Sequence, residues 1–153
     1  MPGTSSKTNR SETQRFTEAE AWRDVGVGWQ PLFGNFRGVG YSIEWHDFQA
    51  NREFDWSPSF HPDCVELCLN LDGHGFVAGH GSRAEFTPNT AGFYYRKKQP
   101  LIAKRAAGER HQFLTIEFSC PFLAKHLAET KNMLHPVVRA AMDGSASEQV
   151  TGT

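Results

Sequence analysis

Long apolar runs, an excess of one charge and cysteine in a pairing pattern are all missing from this 153-residue chain. Without about 18 consecutive apolar residues, no helix crosses a bilayer. Sixteen Lys+Arg against 17 Asp+Glu leave no field to hold nucleic acid or an acidic membrane. Three cysteines without paired spacing do not make a disulfide framework. The opening MPGTSSKTNRSETQR lacks the apolar centre of a signal peptide. These absences point to a soluble cytoplasmic protein, long enough for one domain with a real core and too short for two.

Aromatic rings are what the chain has: 12 Phe, 4 Trp and 3 Tyr. Such residues favour strands and also line ligand pockets. From Gly26 to Phe118, short aromatic or β-branched runs alternate with turn residues, the punctuation of an all-β unit. The pattern predicts strands over Tyr41–Phe48, Cys64–Leu71, His74–Ala78, Gly92–Arg96, Leu101–Arg105 and His111–Phe118. Turns fall at Gly79-His80-Gly81, Pro88-Asn89 and Ala107-Gly108, and Asp72-Gly73 reads as a hairpin of the type that needs positive φ. Many short strands joined this way make a sandwich or small barrel.

The flanks differ. Residues 1–15 are polar and should be disordered. Thr17 and Glu20 form a capping box for a short helix that ends at Gly26 and lies on the outside of the domain through Trp22. After Phe118 the period lengthens. Ser119 as N-cap and Pro121 in the first turn start a helix that runs to about Asn132. A second helix has Pro136 near its start, Val137, Val138, Ala141 and Met142 on its apolar side, and Gly144 as its stop. The plan is a tail over 1–15, a β-unit over 16–118, a helical segment over 119–144 and a loose tail over 145–153.

In VELCLNLDGHGF, from Val65 to Phe76, an acid, a thiol and an amide occupy every second position. Val65, Leu67, Leu69 and Leu71 share one face; Glu66, Cys68 and Asn70 share the other. Amphipathicity alone turns the leucines inward and wets the polar row.

Glu66-Leu67, Leu71 and Gly73, then Phe86-Thr87-Pro88-Asn89-Thr90, then AGERHQFLTIEFS over Ala107–Ser119 and FLAKHL after it, resemble the cupin-type sensor domain of AraC-family transcription regulators. The branch that includes siderophore-responsive regulators looks closest, and the resemblance covers about residues 40–142. It implies a mostly β, cupin-like jelly-roll barrel followed by two C-terminal α-helices. It also implies a small-molecule effector in the barrel, a homodimer through the helices, and no enzymatic activity or cofactor. DNA binding belongs, in that family, to a separate helix-turn-helix domain, which a chain ending at Thr153 does not contain. The resemblance also turns Glu66 and its even-numbered neighbours into the lumen, with helices covering the leucines. That orientation is favoured here.

The expected ligand site is therefore Glu66, Cys68 and Asn70, with Trp45, Tyr94 and Phe113 as walls and Arg96 and Arg110 as polar partners. A lone Glu in an apolar barrel is costly, so one of Arg96, Arg105 or Arg110 should meet it. An inward Arg would suit a carboxylate or phenolate ligand. The dimer contact is expected at Leu123, His126, Leu127 and Met133, although the same stripe serves equally to pack on the barrel. A cupin-type metal site needs histidines six and four residues before Glu66, where Phe60 and Pro62 stand. His61 and Asp63 are one residue out of phase and should face away, so no metal is expected. Cys64 and Cys68, about 13 Å apart along a strand, are too distant for a disulfide or a shared ion. The runner-up is a stand-alone metal-dependent cupin enzyme, an isomerase or dioxygenase. A third reading, a purely structural oligomerisation module, predicts a barrel filled with side chains.

Overall fold

Alternating burial marks out the strands in a computed structural model that describes residues 20–79, 81–96 and 100–144, and the backbone of 148–152. In chain order they are β1 (Trp29–Asn35), β2 (Tyr41–Ala50), β3 (Phe54–Asp55), β4 (Cys64–Asp72), β5 (Gly75–Ala78), β6 (Arg83–Phe86), β7 (Thr90–Arg96), β8 (Ile102–Arg105), β9 (Glu109–Ser119) and β10 (Glu148–Gly152). They form a six-stranded sheet in the order β1-β2-β9-β4-β7-β10 and a four-stranded sheet in the order β3-β8-β5-β6. Every pairing is antiparallel. The chain is mostly β, a jelly-roll barrel with two helices at its C-terminal end.

The connections decide the shape. After β2, β3, β4, β6, β7 and β8 the chain leaves one sheet for the other. Asp72-Gly73 is accordingly a corner between sheets and not the expected hairpin. Gly73 has φ 88, and a Cβ there would press on the His111 ring. The Asn70 amide holds the corner by donating to the carbonyls of Gly73 and Thr87 at 3.0 and 2.8 Å. The hairpin lies one turn later, where Gly79 N donates to Ser82 O at 2.9 Å between β5 and β6.

Four strands were not legible in the sequence. Pro31 and Gly34 hide β1, an edge strand with a bulge between Pro31 and Phe33. β3 is two residues long, and β6 carries Arg83 and Glu85 outward. β10 pairs with the edge of β7, so residues 148–152 are not the loose tail expected of them. The tail over 1–15 and the capping-box Thr17 lie outside the described residues.

Two further expectations need correction. Trp22 does not lie outside; it is 1% exposed and packs among Phe48, Phe54, Trp56 and Phe113. The tight 3₁₀ turn Arg23–Gly28 that follows it swings the indole into the barrel end. The helix predicted from Ser119 divides. Regular α-helix covers Cys120–Leu127, with Ser119 Oγ accepting from Phe122 N, and a 3₁₀ stretch continues over Ala128–Met133. The second helix is Pro136–Asp143, closed by Gly144 at φ 63. Both helices pack on the outer face of the large sheet, where Leu123, Val137, Val138 and Ala141 meet Val65 and Tyr95.

Candidate functional site

The strand periodicity runs through the large sheet as a set of rungs. One inner rung reads Ser42, Glu117, Glu66, Tyr94 across β2, β9, β4 and β7; the next reads Glu44, Thr115, Cys68, Gly92. Glu66, Cys68 and Asn70 are buried at 4%, 0% and 1% exposure, so the polar row faces the lumen. The leucines lie on the opposite face. There Val65 is covered by the helices, Leu67 is half-buried, and Leu69 and Leu71 reach solvent.

The interior has two ends of unlike content. At one, Trp22, Phe48, Trp56, Phe60, Phe86 and Phe113 fill the space between the sheets. At the other stand three buried carboxyls, Glu44, Glu66 and Glu117. The Tyr94 hydroxyl donates to Glu66. His61 Nδ1 lies 2.7 Å from Glu117 Oε1, and the Trp29 indole N–H donates to Glu44 Oε2 at 3.1 Å. Burial, then the neighbouring Glu117 and Glu44, raise the Glu66 carboxyl well above its ordinary range, against the opposing Tyr94 bond. Burial and Glu44 push Glu117 up to about 8. Burial and Arg37 hold the His61 imidazole down at about 4. The His61–Glu117 pair therefore holds one proton at neutral pH.

A cavity of about 240 Å³ opens on this end, lined by Trp29, Pro31, Gly34, Asn35, Phe36, Arg37, Ser42, Glu44 and His61. Its wall is local chemistry. Asn35 caps the one-turn helix Phe36–Val39 by accepting from Arg37 N and Gly38 N, both at 3.1 Å, and Gly40 at φ 90 ends it. Phe36 stacks on His61 with ring centroids 4.2 Å apart. Ser42 is 6% exposed, and its Oγ has no hydrogen-bond partner among the described residues.

Of the predicted ligand residues, Glu66 and Tyr94 are bonded to each other at the carboxyl end. Arg96 is half-buried beside them, with Nη1 donating to Phe60 O at 3.1 Å. Cys68 lies between the two ends; burial raises its thiol. Asn70 and Phe113 share the rung beyond, away from the cavity. Two expectations fail by phase and position. Trp45 lies on the outer face, on a rung with Leu114 and Leu69. Arg110 is exposed and makes a bidentate pair with Asp47 at 2.9 and 2.8 Å. The inward arginine is Arg105, 0% exposed, and it meets no acid: it donates to Asn70 Oδ1, Asp72 O and His111 Nδ1 at 2.6, 3.1 and 3.1 Å.

Among the predicted dimer residues, Leu123 is buried and Leu127 half-buried against the sheet, so the stripe packs within the chain. His126 is exposed beside Phe122, and Met133 is 86% exposed.

Trp29, Asn35, Phe36, Ser42, Glu44, His61 and Glu117 were missed. Ser42-x-Glu44-x-His46 repeats on β2 the alternation noticed on β4, and that signal was available in the sequence. His61 turns inward because β4 begins only at Cys64 and Asp63 takes a positive φ of 56, which breaks the strand phase used to exclude it. No group of three or more His, Cys, Asp and Glu among the described residues is arranged to hold a metal ion. No helix among them is long and apolar enough to cross a membrane.

No protein-family profile matches the chain, and no curated protein does. Solved structures that it resembles include the EutQ protein of Clostridium difficile, 11% identical over 65% of this chain and 66% of that one (just under two thirds), with a TM-score of 0.42. A cupin-superfamily protein of Desulfitobacterium hafniense is 14% identical over 60% and 75%, with a TM-score of 0.44. The cupin domain of Schizosaccharomyces pombe Cnp3 is 10% identical over 65% and 69%, with a TM-score of 0.48.

Proposed function

We propose that this chain is the effector-binding and dimerisation domain of a transcription regulator of the AraC type, without catalytic activity of its own. The motifs that carry the resemblance lie on β4, on the corner after β6, on β9 and on the helix after it. The observation that supports a sensor most strongly is the contact between the cavity wall and that helix. The one-turn helix Phe36–Val39 runs directly into Gly40, whose carbonyl accepts from Ser119 N at 2.8 Å. A Cβ at Gly40 would lie 2.8 Å from Phe122 Cβ, and Tyr41 packs on the Phe122 ring at 5.5 Å. A ligand that reshapes the 35–40 segment thereby shifts the start of Cys120–Leu127, and the two packings are the states between which it selects. A dimer made through these helices uses the exposed side, with His126 and Met133, since Leu123 and Leu127 are taken up by the sheet.

The test is a fusion of the chain to a DNA-binding domain that represses a reporter only as a dimer. Repression that changes when small-molecule extract fractions are added supports the sensor. A monomeric fusion insensitive to every fraction sinks it, as would a stoichiometric transition metal with turnover in the isolated protein.

A further inference from the structure

We propose that the cavity over Ser42 and Glu44 receives the ammonium or guanidinium end of a small organic cation. This deepens the effector reading and rests on it. Two of the residues lining the cavity, Ser42 and Glu44, offer side-chain acceptor oxygens. Glu44 is 5% exposed and presents its carboxyl there, with the Trp29 N–H already bound to Oε2. Ser42 lines the same cavity, and its Oγ is buried without a partner among the described residues. A buried hydroxyl without a partner is uncommon, because it forfeits roughly 1–3 kcal/mol of hydration. A ligand with two or more N–H donors meets both groups at once. Trp29 and Phe36 supply apolar walls for a short methylene stem, and Phe36 is braced from behind by His61.

Two further carboxyls stand near the cavity floor and can ionise to match a cation. Glu66 and Glu117 stand on the adjacent rung with raised carboxyls. A cation in front of them stabilises their ionised forms, so binding near pH 7 should release protons. The opposing groups are few. Arg37, exposed on the cavity wall, is an opposing charge that His61 already feels, and Arg96 Nη1 is turned to Phe60 O. The volume, about 240 Å³, lies below the roughly 300–1,000 Å³ of drug-sized sites, which suits a small head group. The sequence had pointed the other way, toward an anion on an inward arginine. Arg105, the buried one, has Asn70, Asp72 and His111 as partners and does not line this cavity.

Three probes of one length decide the matter by calorimetry: putrescine, 1,4-butanediol and succinate. Putrescine should bind at least ten times more tightly than the other two, with proton release revealed by repeating the titration in buffers of different ionisation enthalpy. Glu44→Gln should weaken it tenfold or more and Ser42→Ala a few-fold, with both variants folded by circular dichroism. Succinate binding, equal affinity for the diol, or an unaffected E44Q overturns the cation and leaves the effector reading standing. No binding of any probe at millimolar concentration also overturns it. If native mass spectrometry then finds no copurified organic molecule, the effector reading falls with it.

Discussion

The aromatic end and the carboxyl end of this interior are built on the same strands, yet they accommodate polar groups by opposite means. At the aromatic end the buried cation, Arg105, is held by three acceptors and lies over the Phe113 ring at 4.3 Å. Satisfaction is incomplete even so: Arg105 Nη1, Trp22 Nε1, His46 Nε2 and Trp56 Nε1 are buried there without a hydrogen-bond partner among the described residues. At the carboxyl end three acids crowd one region, and burial raises the carboxyls of Glu66 and Glu117, which favours retained protons on those two. The first arrangement is a core. The second is polar surface enclosed beside a cavity, which costs stability unless something occupies it.

The largest test strikes the aromatic end. Trp22→Ala removes a fully buried indole that touches five rings and should cost about 3–5 kcal/mol in urea denaturation. A loss below about 1 kcal/mol would mean that this end is loosely packed and the contrast is false. Arg105→Met should follow, at about 2–3 kcal/mol, because it strands the acceptors of Asn70, Asp72 and His111 in a dry interior. Full stability with methionine there would show that the network is incidental.

The pH dependence separates the buried carboxyls from the buried imidazoles by sign. Glu117 sits at about 8 in the fold against an ordinary 4.5, so its contribution is whole below 4.5 and is lost as pH climbs toward 8. His46 and His61 sit at about 3 and 4 against 6.5, so theirs is whole above 6.5 and is lost on acidification. Stability should peak between about pH 4.5 and 6.5 and fall above it by up to about 1.4 kcal/mol per pH unit per group. Glu117→Gln should flatten the alkaline limb and leave the acid limb. A midpoint still rising from pH 6 to 8 would refute the retained protons.

Two smaller effects sharpen the picture. Glu66→Gln at pH 6 should change stability by less than about 1 kcal/mol, because the amide replaces a carboxyl that already carries its proton and still accepts from Tyr94. Ser42→Ala should leave the melting temperature unchanged or slightly higher, since it deletes an unpartnered buried hydroxyl. A clear drop would reveal a bond that Ser42 makes in the folded state.

Legibility followed range. Ser119 as a cap, Gly144 as a stop and the alternation over Cys64–Asp72 are short-range devices, each set by a residue's own stereochemistry, and they were readable. β1 was hidden because Pro31 and the bulge after it break the period that would announce a strand. His61 was misplaced for a related reason: phase was carried past Asp63, where the backbone leaves the strand. Trp45 and Arg110 were assigned by residue type without their phase on β2 and β9, and both came out on the outside.

By itself, the sequence determined which residues stand together: period two collects Glu66, Cys68 and Asn70 on one side of a strand and the leucines on the other, whatever happens elsewhere. It could not decide which side is inside, because both faces of β4 carry groups that burial can accommodate. That was decided when Leu123, Val137 and Val138 came to cover Val65 from without, while β2 and β9 brought Ser42, Glu44 and Glu117 up against Glu66 from within. Burial is a property of what packs against a residue, and these neighbours are separated from Glu66 by as many as 72 positions (138 − 66) along the chain.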